Sequence, residues 1–330
     1  MAESKPTFEQ LTDQLQQAES AGDPGKQGIA LNNLGSYYKD RRETARALEC
    51  FQKALQYFVA LDDKEKKATV LNNLGGTLLD ARQYPPALEH FAMALGTYGG
   101  LNQPFGQGMA LNNMGGVHLL IRRYEDARKQ FNMAASFFRS AQTPAWEGQA
   151  LENLAAAEAG LGSPKSAIET YGRALEIWQR LDQADRQAMI FNRIAAMHST
   201  AGDHQRAIDL HNRAVTLAGK ARNSALEAST HASLGRILAE TGNANAARAE
   251  FQAALLLFEQ LGDKRGQAHA LLNLGKLEIG FGQDLVRSAA ALFHEIGDKP
   301  GEQAANDLLP GAEDEQAADH QPQVVKSKPA

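Results

Sequence analysis

A repeat with a period of 40 residues runs through most of the chain and restricts its fold more than any other feature. The segment LNNLG at residues 31–35 returns unchanged at residues 71–75, and related segments begin at residues 111, 151 and 271. The seven equivalent segments open with Leu31, Leu71, Leu111, Leu151, Phe191, His231 and Leu271. A constant period of this size is typical of a solenoid, in which each unit packs against its neighbours. Such an array grows by addition, so a length of 330 residues does not by itself imply two globular cores.

Each unit contains two predicted helices. In the first unit Leu31, Leu34 and Tyr38 fall at i, i+3 and i+7, the spacing of one face of an α-helix. After a short break, a second apolar stripe contains Ala47, Leu48, Phe51, Ala54, Leu55 and Phe58. The pattern predicts an all-α protein built from antiparallel helix pairs, and we name the two helices of each unit A and B.

Small residues occupy one position of every A helix, and aromatic residues occupy one position of most B helices. The small column contains Gly35, Gly75, Gly115, Ala155, Ala195, Gly235 and Gly275. The aromatic column contains Phe51, Phe91, Phe131, Tyr171 and Phe251, with His211 as the exception. A glycine inside a helix costs about 0.5–1 kcal/mol relative to alanine. The recurring glycines therefore predict that the backbones of helices A and B come into contact.

The motif L-x2-L-G-x2-Y, followed by A-x3-F, resembles the tetratricopeptide repeat. It is formed here by Leu31, Leu34, Gly35, Tyr38, Ala47 and Phe51, with leucine where that motif often has tryptophan. The 40-residue length is similar to the longer repeats of Pins-type adaptors, kinesin light chains and bacterial regulators. Over about residues 7–297, the resemblance implies a right-handed α-solenoid whose A helices line a concave groove. A HEAT-type array is the rival architecture, but it does not explain the leucine–glycine pair.

The ends of the array depart from the repeat. We expect a capping helix within residues 1–22, six full units over residues 23–262, and a shortened seventh unit with a final short helix over residues 263–309. Atypical end units are needed because an interior unit would leave an apolar face in water. Residues 310–330 contain few apolar side chains and are predicted to be disordered.

Pairs of asparagines on the A helices are the main candidates for ligand contact. They are Asn32, Asn33, Asn72, Asn73, Asn112 and Asn113, joined by Asn153 and Asn273. On a helical wheel they lie opposite the face that packs against helix B, so we expect them to face the groove. Asparagine is a weak helix former whose amide can pair with a peptide N–H and C=O. In the resembling families the asparagine before the leucine–glycine pair often contacts a peptide backbone; bonds to neighbouring helices are the alternative.

The later units change the chemistry of the same face. Arg193 replaces the second asparagine of its unit, and Arg236 and Lys276 occupy a column that contains only small residues in earlier units. One interpretation is a basic cluster that binds an acidic group of an extended peptide through charge-assisted hydrogen bonds. Ordinary solvated helix charges are the other.

Other candidates for chemistry are weaker. His118, Glu158 and His198 share a column, but they lie on separate helices about 8–10 Å apart, too far to share one metal ion. Arg42, Arg82 and Arg122 occupy turns where later units have glycine, and we expect them to be in water. No motif for catalysis or for a cofactor is evident, so we expect neither an enzyme nor a cofactor.

The overall composition excludes several classes of partner. The net charge is −5, which gives no reason to expect a nucleic-acid binder. Cys50 is the only cysteine, and the chain has neither a secretory signal nor an apolar run that could span a membrane. We therefore expect a cytoplasmic, non-enzymatic adaptor that holds an extended peptide in its groove. A peptide-responsive sensor acting on a separate effector is the alternative, and self-association through the C-terminal end stays open.

Overall fold

The computed structural model describes residues 6–278 and 282–309, and every regular element in these ranges is an α-helix. The helices are α1 (Phe8–Ser20), α2 (Pro24–Asp40), α3 (Thr44–Ala60), α4 (Lys64–Asp80), α5 (Tyr84–Gly100), α6 (Pro104–Leu120), α7 (Tyr124–Ser140), α8 (Pro144–Gly160), α9 (Pro164–Arg180), α10 (Ala184–Thr200), α11 (His204–Lys220), α12 (Ser224–Glu240), α13 (Ala244–Leu261), α14 (Lys264–Leu277), α15 (Gln283–Glu295) and α16 (Lys299–Asn306). The all-α prediction is confirmed. The predicted tail at residues 310–330 lies outside the described residues.

The helices form two compact units, one ending at Leu181 and the other beginning at Asp182. From here on, the first unit and the second unit are these two parts of the chain, and each pair of A and B helices is called a repeat. In the first unit α1 packs on α2, and the A and B helices pair as α2 with α3, α4 with α5, α6 with α7 and α8 with α9. In the second unit α10 pairs with α11, α12 with α13 and α14 with α15, and α16 packs on α15. Within each unit, consecutive pairs stack into an α-solenoid, as the period predicts. The final helix begins at Lys299.

A helix of 17 residues and a turn of three residues alternate from α2 to α12. At each of these turns the second residue has a positive φ, both where it is glycine (Gly162, φ 70°) and where it is arginine (Arg82, φ 59°). The next residue closes the turn: the Gln83 amide, for example, donates to the Leu78 carbonyl over 2.8 Å. This is the Schellman helix end, for which glycine is the preferred residue. The turns with Arg42, Arg82 and Arg122 therefore share the backbone geometry of the glycine turns.

Replacing Arg82 with glycine should stabilise the protein despite the loss of a charged side chain. A left-handed conformation costs a residue with a Cβ about 1–2 kcal/mol, whereas glycine adopts it freely. The extra freedom of glycine in the unfolded chain offsets about 0.4–1 kcal/mol of that gain. We expect a net increase of about 0.5 kcal/mol in the free energy of unfolding, measured by urea denaturation. A decrease would show that the Arg82 side chain makes stabilising contacts that outweigh the backbone strain.

Four of the five glycines in the small column contact aromatic rings rather than backbone, whereas the fifth, Gly275, lies against the backbone of Gly282 as predicted. A Cβ built on Gly75 would lie 2.6 Å from the Phe91 ring, and one built on Gly115 would lie 2.7 Å from the Phe131 ring. Gly35 and Gly235 face Phe51 and Phe251 in the same way. The predicted contact between backbones is therefore wrong for these four repeats. Each glycine instead makes room for the flat ring of its own B helix.

Candidate functional site

The asparagines of the first unit form hydrogen bonds between successive A helices. Asn73 Nδ2 donates to Asn32 Oδ1 over 2.9 Å, Asn113 Nδ2 to Asn72 Oδ1 over 3.0 Å, and Asn153 Nδ2 to Asn112 Oδ1 over 3.1 Å. We call these three bonds the asparagine ladder. All six side chains are half-buried. The ladder connects α2, α4, α6 and α8, so part of the hydrogen-bonding capacity of these amides stabilises the stack itself.

Each ladder bond leaves some hydrogen-bonding groups of the two asparagine side chains free. An asparagine side chain carries two N–H donors and an oxygen with two lone pairs, and one bond uses one donor and one lone pair. Asn73, Asn113 and Asn153 thus keep a carbonyl oxygen, while Asn32, Asn72 and Asn112 keep both N–H groups. Asn33 is half-buried, and its side chain makes no hydrogen bond to any residue within the described ranges. Contact between these amides and a ligand stays a prediction.

In the second unit the same face is built differently. The Asn192 amide donates to Thr230 Oγ1 over 2.6 Å and its oxygen lies 2.9 Å from Nδ1 of the buried His211. The side chains of Asn192 and His211 therefore already have hydrogen-bond partners within the second unit. Burial, and to a smaller extent the charge of Arg236, lower the pKa of His211 to about 4.

The predicted basic residues lie on successive A helices of the second unit, Arg193 on α10, Arg236 on α12 and Lys276 on α14. All three are exposed. Arg236 forms an ion pair of 2.9 Å with Glu240 on its own helix, as expected for a solvated helix charge. A role for the three residues in binding an acidic group stays a prediction.

A cavity of about 630 Å³ opens beside the asparagine ladder in the first unit. One wall belongs to α4 and is polar, with Glu65, Thr69 and Asn72; the opposite wall belongs to α6 and is apolar, with Phe105 and Met109. Glu65 and Phe105 are equivalent positions of neighbouring repeats, as are Thr69 and Met109. The cavity is therefore formed where two successive A helices differ in chemistry.

The aromatic side of this cavity is packed against other aromatic rings. Phe105 is 39% exposed, and its ring centroid lies 5.8 Å from that of Phe138 and 5.7 Å from that of Trp146. The Tyr98 hydroxyl lies 3.2 Å from Thr69 Oγ1 at the base of the cavity. Burial raises the pKa of Tyr98, and the nearby Glu65 carboxylate adds to the rise. Such aromatic clusters are stabilised by ring contacts in addition to the area they bury.

Sequence reasoning did not identify Glu65, Tyr98 or Phe105. The only signal was the Pro104–Phe105 pair at the start of α6, where other A helices carry glycine, alanine or a charged residue at the second position. The repeat analysis concentrated on columns that stay the same, whereas this cavity is made by positions that vary.

The column of His118, Glu158 and His198 gives no metal site in the part of the chain that the structure describes. His118 Nδ1 lies 2.9 Å from Gln130 Oε1, and His198 Nδ1 lies 3.4 Å from the Asp203 carboxylate. Each histidine thus has a local partner inside its own helix pair or at the adjoining turn. No helix among the described residues is both long and apolar enough to cross a membrane.

Comparison with known proteins agrees with the repeat analysis. The sequence profile of the tetratricopeptide repeat family matches residues 26–98 and 146–220. No curated protein sequence matches the chain.

The solved structures of similar fold include three that are matched over most of their length. Aspartyl phosphate phosphatase F from Bacillus subtilis has a TM-score of 0.61 at 17% identity, over 89% of this chain and 74% of that one. A Rap protein complexed with Competence and Sporulation Factor has a TM-score of 0.57 at 14% identity, over 96% and 82%. Kinesin light chain TPR-like repeats from Podosopora anserina have a TM-score of 0.52 at 12% identity, over 61% and 98%. The profile match shows that the chain contains tetratricopeptide repeats over residues 26–98 and 146–220, and the solved structures share its fold of paired helices.

Proposed function

We propose that the protein is a non-enzymatic scaffold that binds an extended peptide segment of a partner along the A helices of its first unit. The observation that carries the proposal is the cavity beside the asparagine ladder, where free amide groups and an exposed aromatic ring that packs on two others line the same space. A binding site of this kind combines apolar surface for affinity with a few fixed polar groups for orientation. The tetratricopeptide-repeat fold, which serves protein interaction in general, supports the same function.

The spacing of the ladder suits an extended chain. Packed helices lie about 8–10 Å apart, and an extended peptide rises about 3.3 Å per residue. Successive rungs would therefore meet the peptide at about every third residue. The amides of Asn72 and Asn112 can donate to peptide carbonyls, and the oxygens of Asn73 and Asn113 can accept from peptide N–H groups. Because the helices are formed before binding, the protein loses little conformational entropy on binding.

Selection of peptides from a random 12-residue phage library on the purified protein tests this proposal. We expect enriched peptides to lose at least 10-fold in affinity when Phe105 or Met109 is replaced with alanine, because each forms part of the apolar wall. Asn112→Asp, at a ladder position that does not line the cavity, should also weaken binding. Its carboxylate can still accept the ladder bond from Asn153, but it has lost the N–H donors that would face the peptide. Affinities are measured by fluorescence anisotropy with labelled synthetic peptides.

The matched control is Met133→Ala on the B helix α7. Met133 is exposed but lies outside the cavity, so this substitution removes the same atoms as Met109→Ala without touching the proposed site. We expect the control to bind peptides as the parent does. Enriched peptides that bind all of the variants equally well would contradict the proposal.

A regulatory sensor is the second candidate. Its support is the likeness in fold to a Rap protein complexed with Competence and Sporulation Factor. In that case peptide binding would change the shape of the array and alter its contact with a separate effector. Solution scattering with and without a selected peptide separates the two candidates, since a passive scaffold keeps the same radius of gyration.

A further inference from the structure

The cavity beside the asparagine ladder has a charge of its own. Among the described residues that line it, Glu65 is the one charged side chain, and it forms no ion pair within those ranges. The neighbouring lysines are engaged elsewhere. Lys66 lies 2.5 Å from the Asp63 carboxylate, while Lys64 and Lys67 line a different cavity with Met93 of α5. An unpaired carboxylate therefore meets the open space of the site. Lys66, whose pKa is raised mainly by Asp63 and in part by Glu65, is held in its ion pair with Asp63.

The wall opposite Glu65 favours an aliphatic chain. Phe105 and Met109 offer an aromatic face and a flexible thioether. Lysine and arginine bury their methylene stems along such surfaces while their charged ends stay near polar groups. A cation near an aromatic face is further stabilised by the ring quadrupole. The carbonyl oxygen left free on the Asn73 side chain and the hydroxyl groups of Tyr98 and Thr69 add acceptors near the same position.

From this arrangement we infer that the cavity selects a basic side chain, so that the bound peptide carries an arginine or lysine that points between Glu65 and Phe105. The inference rests on the proposed function and specifies the chemistry of the partner. The stem of the basic residue packs on Phe105 and Met109, and its cationic end pairs with the Glu65 carboxylate. The site thus recognises one residue by charge, while the ladder holds the backbone without regard to sequence.

Peptides selected from the same phage library test the inference directly. We expect arginine or lysine to recur at one fixed position of the enriched sequences. For one such synthetic peptide, replacing the basic residue with norleucine should weaken binding about 10-fold, and Glu65→Gln should do the same. The two changes together should weaken binding little more than either alone, because each removes the same interaction.

The control is Glu89→Gln on the B helix α5, which removes the same charge from an exposed position outside the cavity. Glu65 lies in the first turn of α4, where an acidic residue also stabilises the helix. The melting temperature of Glu65→Gln is therefore measured in parallel, and a partly unfolded variant would be replaced by Glu65→Asp, which keeps the charge but shortens its reach.

The outcomes distinguish this inference from the proposed function. Enriched peptides that depend on Phe105 but show no basic position, or that bind Glu65→Gln and the parent equally, overturn the inference and leave the scaffold in place. Failure to obtain any peptide that depends on Phe105 overturns both. Additive losses in the double change would show that Glu65 and the basic residue act independently, which also overturns the inference.

Discussion

Replacing Gly75 with alanine should lower the free energy of unfolding of the first unit by about 1 kcal/mol, the balance of steric repulsion against helix propensity. The new Cβ would lie 2.6 Å from a carbon of the fully buried Phe91 ring, closer than a carbon atom can remain. Forcing an extra methyl group into a filled core costs about 1–3 kcal/mol. Alanine recovers up to about 1 kcal/mol through its better helix propensity, so steric repulsion decides the sign. Ala155 occupies the same column in the repeat that has Tyr171 in the aromatic column, and both residues are buried, so a Cβ is tolerated where the neighbouring side chains are arranged for it.

The matched control for Gly75→Ala is Gly96→Ala. Gly96 lies inside α5, and a Cβ built there meets no atom within 4 Å. This variant should be more stable than the parent by about 0.5–1 kcal/mol, through helix propensity alone. Both tryptophans, Trp146 and Trp178, lie in the first unit, so urea unfolding followed by tryptophan fluorescence reports on it. Equal effects of the two substitutions would show that the glycine–ring contact does not restrict the side chain at residue 75.

The sequence was sufficient to predict the helices because their pattern repeats. Apolar residues at i, i+3, i+4 and i+7 specify helix A, and the fixed period of 40 residues specifies how often the pair returns. Asp23, Asp63 and Asp263, which precede A helices, each accept a hydrogen bond from the first turn of the helix. Short-range signals of this kind do not depend on how neighbouring repeats are stacked, and therefore they can be read from the sequence alone.

The asparagine ladder could not be predicted in detail because it depends on the stacking between repeats. Equivalent residues lie 40 positions apart, yet the bonds connect residues 41 apart, as in Asn32 with Asn73. This offset of one residue is set by the shift between neighbouring A helices, which the period does not contain. The sequence predicts that the amides lie on the face of the A helices away from helix B. It could not show that three of them donate to three others.

The cavity was missed for a different reason. In a repeat protein the conserved columns build the scaffold, and a specific site must use positions that break the repeat. Glu65 and Phe105 share a column with Gly25 and Ala145, so no column pattern marks them. Their importance follows only from their exposure and from the empty space between them. A search for deviations from the repeat on the face of the A helices that carries the asparagines would have found both residues.

His211 should make the second unit lose stability as the pH falls below about 6.5. This residue interrupts the aromatic column, is 2% exposed, and has its pKa lowered from 6.5 to about 4, chiefly by burial. The unfolded chain therefore binds a proton between pH 6.5 and pH 4 that the native protein excludes. Stability then rises with pH through this window and is complete above it. The full difference of about 2.5 pKa units corresponds to about 3 kcal/mol, of which about 2 kcal/mol should be lost between pH 7 and pH 4.5.

Two measurements on the native protein and one variant check this expectation. An NMR titration of the His211 ring should show a midpoint near pH 4; a midpoint near 6.5 would contradict the burial argument. The double variant Ala195→Gly with His211→Phe copies the Gly235–Phe251 pair of the next repeat and removes the titrating group. Hydrogen exchange of the α10–α12 amides should then show a loss of stability between pH 7 and pH 4.5 that is smaller by about 2 kcal/mol than in the parent. An equal loss in both proteins would assign the acid sensitivity to other groups. In the double variant, Asn192 keeps only its hydrogen bond to Thr230. The stability of the variant at pH 7 therefore measures the loss of the His211–Asn192 bond together with the gain from the new aromatic contact.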